Sequence, residues 1–283
     1  MPARIQPTAR QMRLGAELRK LREAAGLSSR DAAGLLGVTP AQMSQFEAGN
    51  AGINGERVRR LAAHYSCADA ELIEALVEMA TDRTRGWWER YRGVLPPSFL
   101  DLAELEYHAT FIQEIGTTHV TGPLQTEDYA RAVFRYWRPE LPRGELDARV
   151  AHRMQRKAVL AREGEALYTA VLHEAVLRTR VADRLVARAQ LDEVLRQAER
   201  PGVTVRVIPF DVDGFAGASA ALLYAGGRVP ALDTVQKDTP SGSGFVDAAA
   251  QLQAMRTLFR KVESASLEPA RSRDYIHRLV KEL

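Results

Sequence analysis

Residues 28–50, SSRDAAGLLGVTPAQMSQFEAGN, restrict the fold more than any other part of the chain. Ser28 suits the N-cap of a short helix, and Gly37 can adopt the left-handed conformation that ends it sharply. Thr39 can cap a second short helix, and Pro40 fits its first turn, where the missing N–H is no loss. Two short helices joined by a turn of about three residues form a helix-turn-helix, which presents its second helix to a DNA groove.

Apolar spacing predicts three further helices around this pair. Apolar residues recur at intervals of three and four from Leu14 to Ala25, which indicates a first helix that Gly26 closes. Asn54 and Asp69 are suited to cap two later helices, GERVRRLAAHY and AELIEALVEMA. The sequence therefore predicts an all-α N-terminal domain of about five helices over residues 1–80.

Charge is unevenly distributed along the chain. Residues 1–66 contain ten Arg or Lys against five Asp or Glu, a local net charge of +5, whereas the whole chain carries +3. A local positive excess is typical of a segment that meets phosphate backbones, although arginine-rich helix faces are often merely solvated.

The stretch LREAAGLSSRDAAGLLGVTPAQMSQFEAGN resembles the Xre-type, phage-repressor-like helix-turn-helix family, and the resemblance extends over about residues 11–80. It implies base contacts from the third helix, phosphate contacts near the start of the second helix and after the third, and a glutamate at the position of Glu47. The DNA-binding residues predicted on this basis are Ser29, Arg30, Thr39, Pro40, Ala41, Gln42, Ser44, Gln45 and Asn50.

The chemistry of these side chains favours sparse base readout. A glutamine carboxamide can pair with N6 and N7 of adenine, so Gln42 and Gln45 are the predicted readers. Pro40 and Ala41 offer only apolar contacts, and DNA shape therefore gains weight in recognition. Gly34 also departs from the pattern and costs about 1 kcal/mol relative to alanine inside a helix. Alternatively, Gln42 and Gln45 are ordinary solvated residues.

Beyond a linker predicted at residues 81–98, the chain alternates helices with β-rich segments. We expect Trp87 and Trp88 to dock this linker on the second domain. The predicted strands are ATFIQEIGTTHV, ALYTAVLHEAVLRT, VTVRVIPF, ASAALLYAG and ALDTVQK, with helices between them and a helix FVDAAAQLQAMRTLFRKVES after them. Residues 99–283 are therefore predicted to form a mixed α/β (α+β) domain with about five strands.

Three groups in this second domain were considered for chemistry. His119, His173 and Glu174 suggest an acid–base or metal site, but His173 and Glu174 are predicted to be neighbours in one strand and to point to opposite faces. Asp211 and Asp213 have the spacing of a calcium loop without its further ligands, which favours a glycine-rich turn. The segment KDTPSGSGFVDAAAQL is predicted to run from a strand through a Gly-Ser-Gly loop into a helix, where N–H groups are able to hold an anion.

The second half resembles the C-terminal domain of antitoxin-like regulators of actinobacteria. The segments that carry this resemblance are RGWWERYRGVLPPSF, TGPLQTEDYARAV, RMQRKAVL, LHEAVLRTRV and LRQAERPGVTVRVIPF. It implies a regulator encoded beside a small partner protein, with a C-terminal domain that mediates partner contact and senses a ligand. The segment VPALDTVQKDTPSGSGF follows the pattern only loosely, which leaves open an unusual partner or ligand.

Composition excludes several other classes of protein. The chain has no apolar run long enough to span a bilayer, and its N-terminus lacks the apolar region of a secretory signal, so a cytoplasmic protein is expected. The single cysteine, Cys67, excludes an internal disulfide framework and a zinc site built on several thiolates. The sequence predicts no catalytic residue, no cofactor and no metal ion.

These observations predict a sequence-specific DNA-binding transcription regulator. We expect a homodimeric repressor that binds a roughly palindromic operator and is controlled through its C-terminal domain by a partner protein or small molecule. One alternative is an interaction adaptor whose helix-turn-helix has lost specific DNA binding, with Pro40 and Ala41 as signs of drift. An enzyme with a regulatory head is the other, although no convergent set of titratable residues is visible.

Overall fold

The computed structural model describes residues 6–161, 167–217, 221–239 and 242–283. The chain divides into two compact units, Met1–Trp87 and Trp88–Leu283. In the described part of the chain, no helix is both long and apolar enough to cross a bilayer.

The first unit is entirely helical, which confirms the predicted fold class. A side-chain oxygen caps every one of its helices, and the capping residues are Thr8, Ser28, Thr39, Asn54 and Asp69. Gly37 ends the second helix with φ +66°, the left-handed conformation that its sequence position predicts. The helices are α1 (Ala9–Ala24), α2 (Ser29–Leu36), α3 (Pro40–Glu47), α4 (Gly55–His64) and α5 (Ala70–Thr81).

The second unit combines helices with a six-stranded sheet. Its α-helices are α6 (Pro97–His108), α7 (Glu127–Trp137), α8 (Arg143–Arg156), α9 (Glu174–Arg178), α10 (Arg184–Ala198), α11 (Ala249–Ser264) and α12 (Pro269–Glu282). Its strands are β1 (Phe111–Gly116), β2 (Leu167–His173), β3 (Val203–Ile208), β4 (Leu222–Gly226), β5 (Thr234–Thr239) and β6 (Gly242–Val246). Short 3-10 helices occupy Trp87–Tyr91, Gly122–Leu124, Lys157–Ala161 and Pro230–Leu232.

The sheet has the strand order β3-β2-β1-β4-β5-β6. Strands β1, β2 and β3 are parallel, because helices connect each of them to the next. Strands β4, β5 and β6 are antiparallel, and β4 joins the two halves by pairing with β1. In this register Glu114 of β1 lies between Ala170 of β2 and Leu223 of β4.

Helices cover both faces of the sheet, and each face has its own apolar core. On one face, Ile112 and Tyr168 pack in a cluster with residues of α7, α10 and α12. On the other face, Ile115 and Val171 pack in a cluster with residues of α11. The alternation of side chains along each strand therefore sends successive residues into two different cores.

Three details of the predicted second domain were wrong. The segment predicted as one strand, residues 166–179, ends as a strand at His173 and continues as α9. The predicted Gly-Ser-Gly loop belongs to β6, a sixth strand in place of about five, because its backbone pairs with β5. Phe245 was predicted in the following helix but lies opposite Gln236 in this ladder, and α11 begins at Ala249.

Residues 81–98, for which the sequence predicts a linker, contain regular structure. They include a 3-10 helix, an isolated bridge between Arg92 and Leu95, and the first two residues of α6, a helix not foreseen from the sequence. Trp88 is 2% exposed, and its ring centroid lies 5.2 Å from that of Tyr107. Trp88 is therefore part of the core of the second unit.

Candidate nucleic-acid interface

Helix α3 buries one side and exposes the other. Met43 and Phe46 are buried, because they lie three residues apart on the side that packs against the rest of the unit. The Thr39 Oγ1 accepts a hydrogen bond of 3.1 Å from the Gln42 N–H, which begins the helix at Pro40. Of the predicted DNA-binding residues in this region, Gln45 is half-buried and the exposed ones are Thr39, Pro40, Ala41, Gln42 and Ser44.

The start of α2 has backbone donors free for an anion. Ser28 and Asp31 form a capping box, in which the Asp31 N–H donates to Ser28 Oγ and the Ser28 N–H donates to the Asp31 carboxylate. Hydrogen bonds from the Ser28 hydroxyl and backbone hold the pKa of Asp31 below its ordinary value. In the described part of the chain, the buried Oγ of Ser29 has no hydrogen-bond partner and Arg30, which is exposed, forms no ion pair. The turn of α2 that begins here can therefore contact a phosphate.

One arginine ties the end of α3 to α1. Arg22 donates from Nε and Nη2 to the two carboxylate oxygens of Glu47, at 2.6 and 3.0 Å. Its Nη1 donates to the Leu27 carbonyl at 2.7 Å, in the connection between α1 and α2. Both charged side chains are about 9% exposed. Such a two-pronged pair fixes orientation as well as distance, so it holds α3 in place relative to α1.

Two glycines allow the same two elements to approach closely. A Cβ at Gly15 of α1 would collide with the Glu47 carbonyl, so no larger residue fits there without movement. Gly49 has φ +72°, and a Cβ there would lie 2.8 Å from the backbone of Gln11. Backbone packing and the Arg22 pair together set the position of the exposed side of α3. The sequence identified Glu47 only through the family resemblance and gave no signal for its partner 25 residues away.

Two cations of α4 join the candidate interface without having been predicted. The Arg57 guanidinium lies over the Phe46 ring, 5.8 Å from its centroid, and so borders the end of α3. Arg60 donates to the Leu35 carbonyl of α2 at 3.1 Å. Within the described residues neither forms an ion pair, whereas the neighbouring Arg59 is bound to Glu74. The charge excess was visible in the sequence, but which cations stay unneutralised depends on the fold.

Asn50 lies in the connection that follows α3. Its N–H donates to the Gln45 carbonyl at 2.9 Å, and its side chain is exposed. The predicted phosphate contact is thus an exposed amide fixed to the end of the recognition helix.

The chemical groups considered in the second unit do not converge. His173 is the last residue of β2, and its Nδ1 accepts a hydrogen bond from the Ala175 N–H at the start of α9. Glu174 therefore begins a helix, and the prediction that both residues lie in one strand was wrong. His119 instead lies edge-on to Trp137, with ring centroids 6.3 Å apart. In the part of the chain that the structure describes, no group of three His, Cys, Asp or Glu side chains is placed to hold a metal ion.

Glu174 has a structural role in this arrangement. It accepts hydrogen bonds from the Phe210 N–H and from Arg178. Burial alone would raise the pKa of Glu174, but hydrogen bonds from Tyr275, Phe210 and Arg178 lower it below its ordinary value. The carboxylate is therefore an ionised bridge between α9 and the end of β3. Asp211 and Asp213, which follow β3, are exposed.

A second set of charged residues is buried on the helix-covered face of β1 and β2. Arg156 donates to both carboxylate oxygens of Glu106 at 2.9 and 2.5 Å, and its Nη2 lies 3.8 Å from Glu114. The Tyr168 hydroxyl donates to Glu114 at 2.6 Å and lies 2.8 Å from Thr121 Oγ1. Burial raises the pKa of Glu114 to about 7, against the opposing effect of Arg156. These residues bond to one another and connect α6, α8, β1 and β2.

Two family matches agree with this division of the chain. Residues 99–278 match the family described as a domain of unknown function (DUF5753), which is more than half of the chain. The chain belongs to this DUF5753 family. Residues 13–76 match the family described as a helix-turn-helix domain, which indicates a DNA-binding regulator. Neither the curated proteins nor the solved structures gave a match.

Proposed function

We propose that this chain is a transcription regulator that reads DNA through the exposed side of α3. The observation that carries the proposal is a polar, capped helix whose exposed side is fixed by the Arg22–Glu47 pair. Gln42 and Gln45 are the proposed base readers, because each carboxamide can donate to and accept from one adenine edge. Pro40, Ala41 and Ser44 complete this surface with apolar and hydroxyl contacts, and Thr39 sets the start of the helix.

Phosphate contacts would position this surface on the duplex. We assign them to Ser29 and Arg30 at the start of α2, to Asn50 after α3, and to Arg57 and Arg60 of α4. Unpaired cations and free helix N–H groups are the usual donors to DNA phosphates, and they carry no sequence information themselves. Affinity should therefore fall steeply with salt.

The finer features of the proposal follow from the size of one module. A single helix-turn-helix contacts few bases, so two copies on a palindromic operator would reach useful specificity. We propose a homodimeric, cytoplasmic repressor of the Xre type, with the second unit acting as in antitoxin-like regulators. A partner protein or small molecule that favours one arrangement of the two DNA-reading units would control it. The proposal assigns no catalytic step.

A second candidate function is an interaction adaptor that has lost specific DNA binding. The observation that favours it is the exposure of Pro40 and Ala41 at the start of α3, where neither side chain can hydrogen-bond to a base. The adaptor would retain the fold of the first unit but not its discrimination between DNA sequences.

A gel-shift measurement on the DNA upstream of the coding sequence separates these two functions. The regulator should form a specific complex that survives competitor DNA, and Gln42→Ala plus Gln45→Ala should abolish it. The matched control is Gln251→Ala plus Gln253→Ala, which removes two exposed glutamines from α11 of the second unit. No specific complex from the wild-type chain would favour the adaptor.

A further inference from the structure

Two large aromatic side chains are exposed side by side at the end of α7. Tyr136 is 81% exposed and Trp137 is 57% exposed, with ring centroids 6.0 Å apart at 88°. The opposite side of α7 is buried through Tyr129 and Phe134 among other residues, so the core of the second unit has no further use for the two exposed rings. Tyr and Trp are the residues most enriched in the energetic centres of protein interfaces.

Charges around this pair are balanced. Residues 135–147 contain three arginines, Arg135, Arg138 and Arg143, against three acidic residues, Glu140, Glu145 and Asp147. Arg138 is bound to Glu140 at 2.5 Å, and Asp147 is held by Arg131. Two identical surfaces of this kind can face each other without net repulsion, whereas a strongly charged surface would repel its own copy.

We propose that this surface, which we term the α7 patch (residues 135–143), is where a second copy of the chain docks. The inference deepens the proposed function, because it rests on the need for two DNA-reading units. In a two-fold arrangement the same patch serves both copies, and each Tyr136–Trp137 pair packs against the other copy. Arg135 and Arg143 form no ion pair among the described residues and are free to meet Glu140 of the second copy.

The aromatic area is large enough to matter. Tyr and Trp side chains bury roughly 150–250 Å² each, so the exposed parts of four rings from two copies contribute on the order of 500 Å². That is about a third of a standard interface of roughly 1,600 Å². The charged residues of the α7 patch would supply the polar rim.

Sedimentation equilibrium of the full chain over a concentration series tests the docking surface. Wild type should dimerise, and Tyr136→Ser plus Trp137→Ser should weaken dimerisation by at least about 30-fold, because two interface centres are removed. The matched control is Leu185→Ser, which changes a 78% exposed leucine at the start of α10. This control should leave the dimerisation constant within about twofold.

A charge-reversal variant guards against misfolding of the double serine variant. Arg135→Glu plus Arg143→Glu changes only exposed positions and leaves one arginine against five acidic residues in residues 135–147. It should weaken dimerisation most at low salt, where repulsion between copies is least screened. Circular dichroism confirms folding of each variant.

The inference is overturned if wild type stays monomeric throughout the series, or if both α7-patch variants dimerise as wild type does. It is equally overturned if Leu185→Ser weakens dimerisation as much as the aromatic variant. Binding of the same proteins to a duplex with a single half-site separates this outcome from failure of the proposed function. Half-site binding without dimerisation would sink only the docking surface, and dimerisation without any sequence-specific DNA binding would sink only the proposed function.

Discussion

In the first unit, the exposed side of α3 carries Gln42 and Ser44, whose side chains have no partner among the described residues. In the second unit, Glu106, Glu114 and Arg156 are buried and bonded to one another. Polar groups that bond internally serve the fold, because burial makes an unpaired group costly. Polar groups left exposed on a rigid helix are available to a ligand. The comparison therefore assigns recognition to the first unit and cohesion to the buried cluster of the second.

The strongest test of the cohesive role is Arg156→Met. It leaves Glu106 and Glu114 buried without their cation, so we expect the free energy of unfolding of the second unit to fall by about 3–5 kcal/mol. Urea unfolding followed by fluorescence measures this loss. A control variant, Arg138→Met, removes a cation from an exposed pair and should leave stability nearly unchanged. Equal stability of Arg156→Met and wild type would show that the buried cluster does not hold the unit together.

The corresponding test in the first unit is Glu47→Ala. Arg22 would lose both carboxylate contacts, and we expect the first unit to lose about 1–3 kcal/mol of stability. Because the pair positions α3, DNA affinity should fall even under conditions where the unit stays folded. Hydrogen exchange of the α3 amides and DNA titration report the two effects separately. Glu74→Ala, which removes the exposed partner of Arg59, is the control and should change neither.

The buried cluster should also make stability depend on pH. Burial raises the pKa of Glu114 to about 7 in the folded chain, above its ordinary value in the unfolded chain. The folded state then holds a proton that the unfolded state has released, so stability should fall by roughly 1 kcal/mol per pH unit as pH rises from about 5 to 7. Urea unfolding of wild type and Glu114→Gln across this range measures the effect. The glutamine variant should lose this part of the pH dependence, and an unchanged slope would contradict the assignment.

The smallest expected effect concerns Gly34 in α2. A Cβ added there would meet no atom within 4 Å, and Gly34 is exposed. Gly34→Ala should therefore raise the free energy of unfolding of the first unit by about 0.5–1 kcal/mol through helix propensity. Gly15→Ala is the informative contrast, because its Cβ would collide with the Glu47 carbonyl and should destabilise. Thermal unfolding of the two variants would sharpen the view that α1 and α3 are closely fitted.

Local sequence signals were sufficient for the first unit. Capping residues and the left-handed Gly37 define α2 and α3 within a few neighbouring positions, and the structure places the helices there. The Arg22–Glu47 pair joins residues 25 positions apart, so no local periodicity could indicate it. Likewise, the sequence shows that Arg57 and Arg60 are cations but not that they lack acidic partners.

In the second unit, local signals were ambiguous where strands end or begin. After His173 the residues Ala175, Val176 and Leu177 remain apolar, so the change from β2 to α9 leaves no break in the pattern. The glycines of β6 indicate a loop by composition, yet pairing with β5 makes the segment a strand. Sheet neighbours, which depend on distant segments, decided both cases.

The most direct test of the central account compares two kinds of variant on two DNAs. Affinity for the upstream duplex and for a scrambled duplex is measured at fixed salt for wild type, Gln42→Ala plus Gln45→Ala, and Arg30→Ala. Losing base readers should cost about 1–3 kcal/mol per bidentate contact on the upstream duplex and nothing on the scrambled one. Losing Arg30 should weaken both complexes alike. Equal losses on both duplexes for the glutamine variant would contradict the claim that α3 reads sequence.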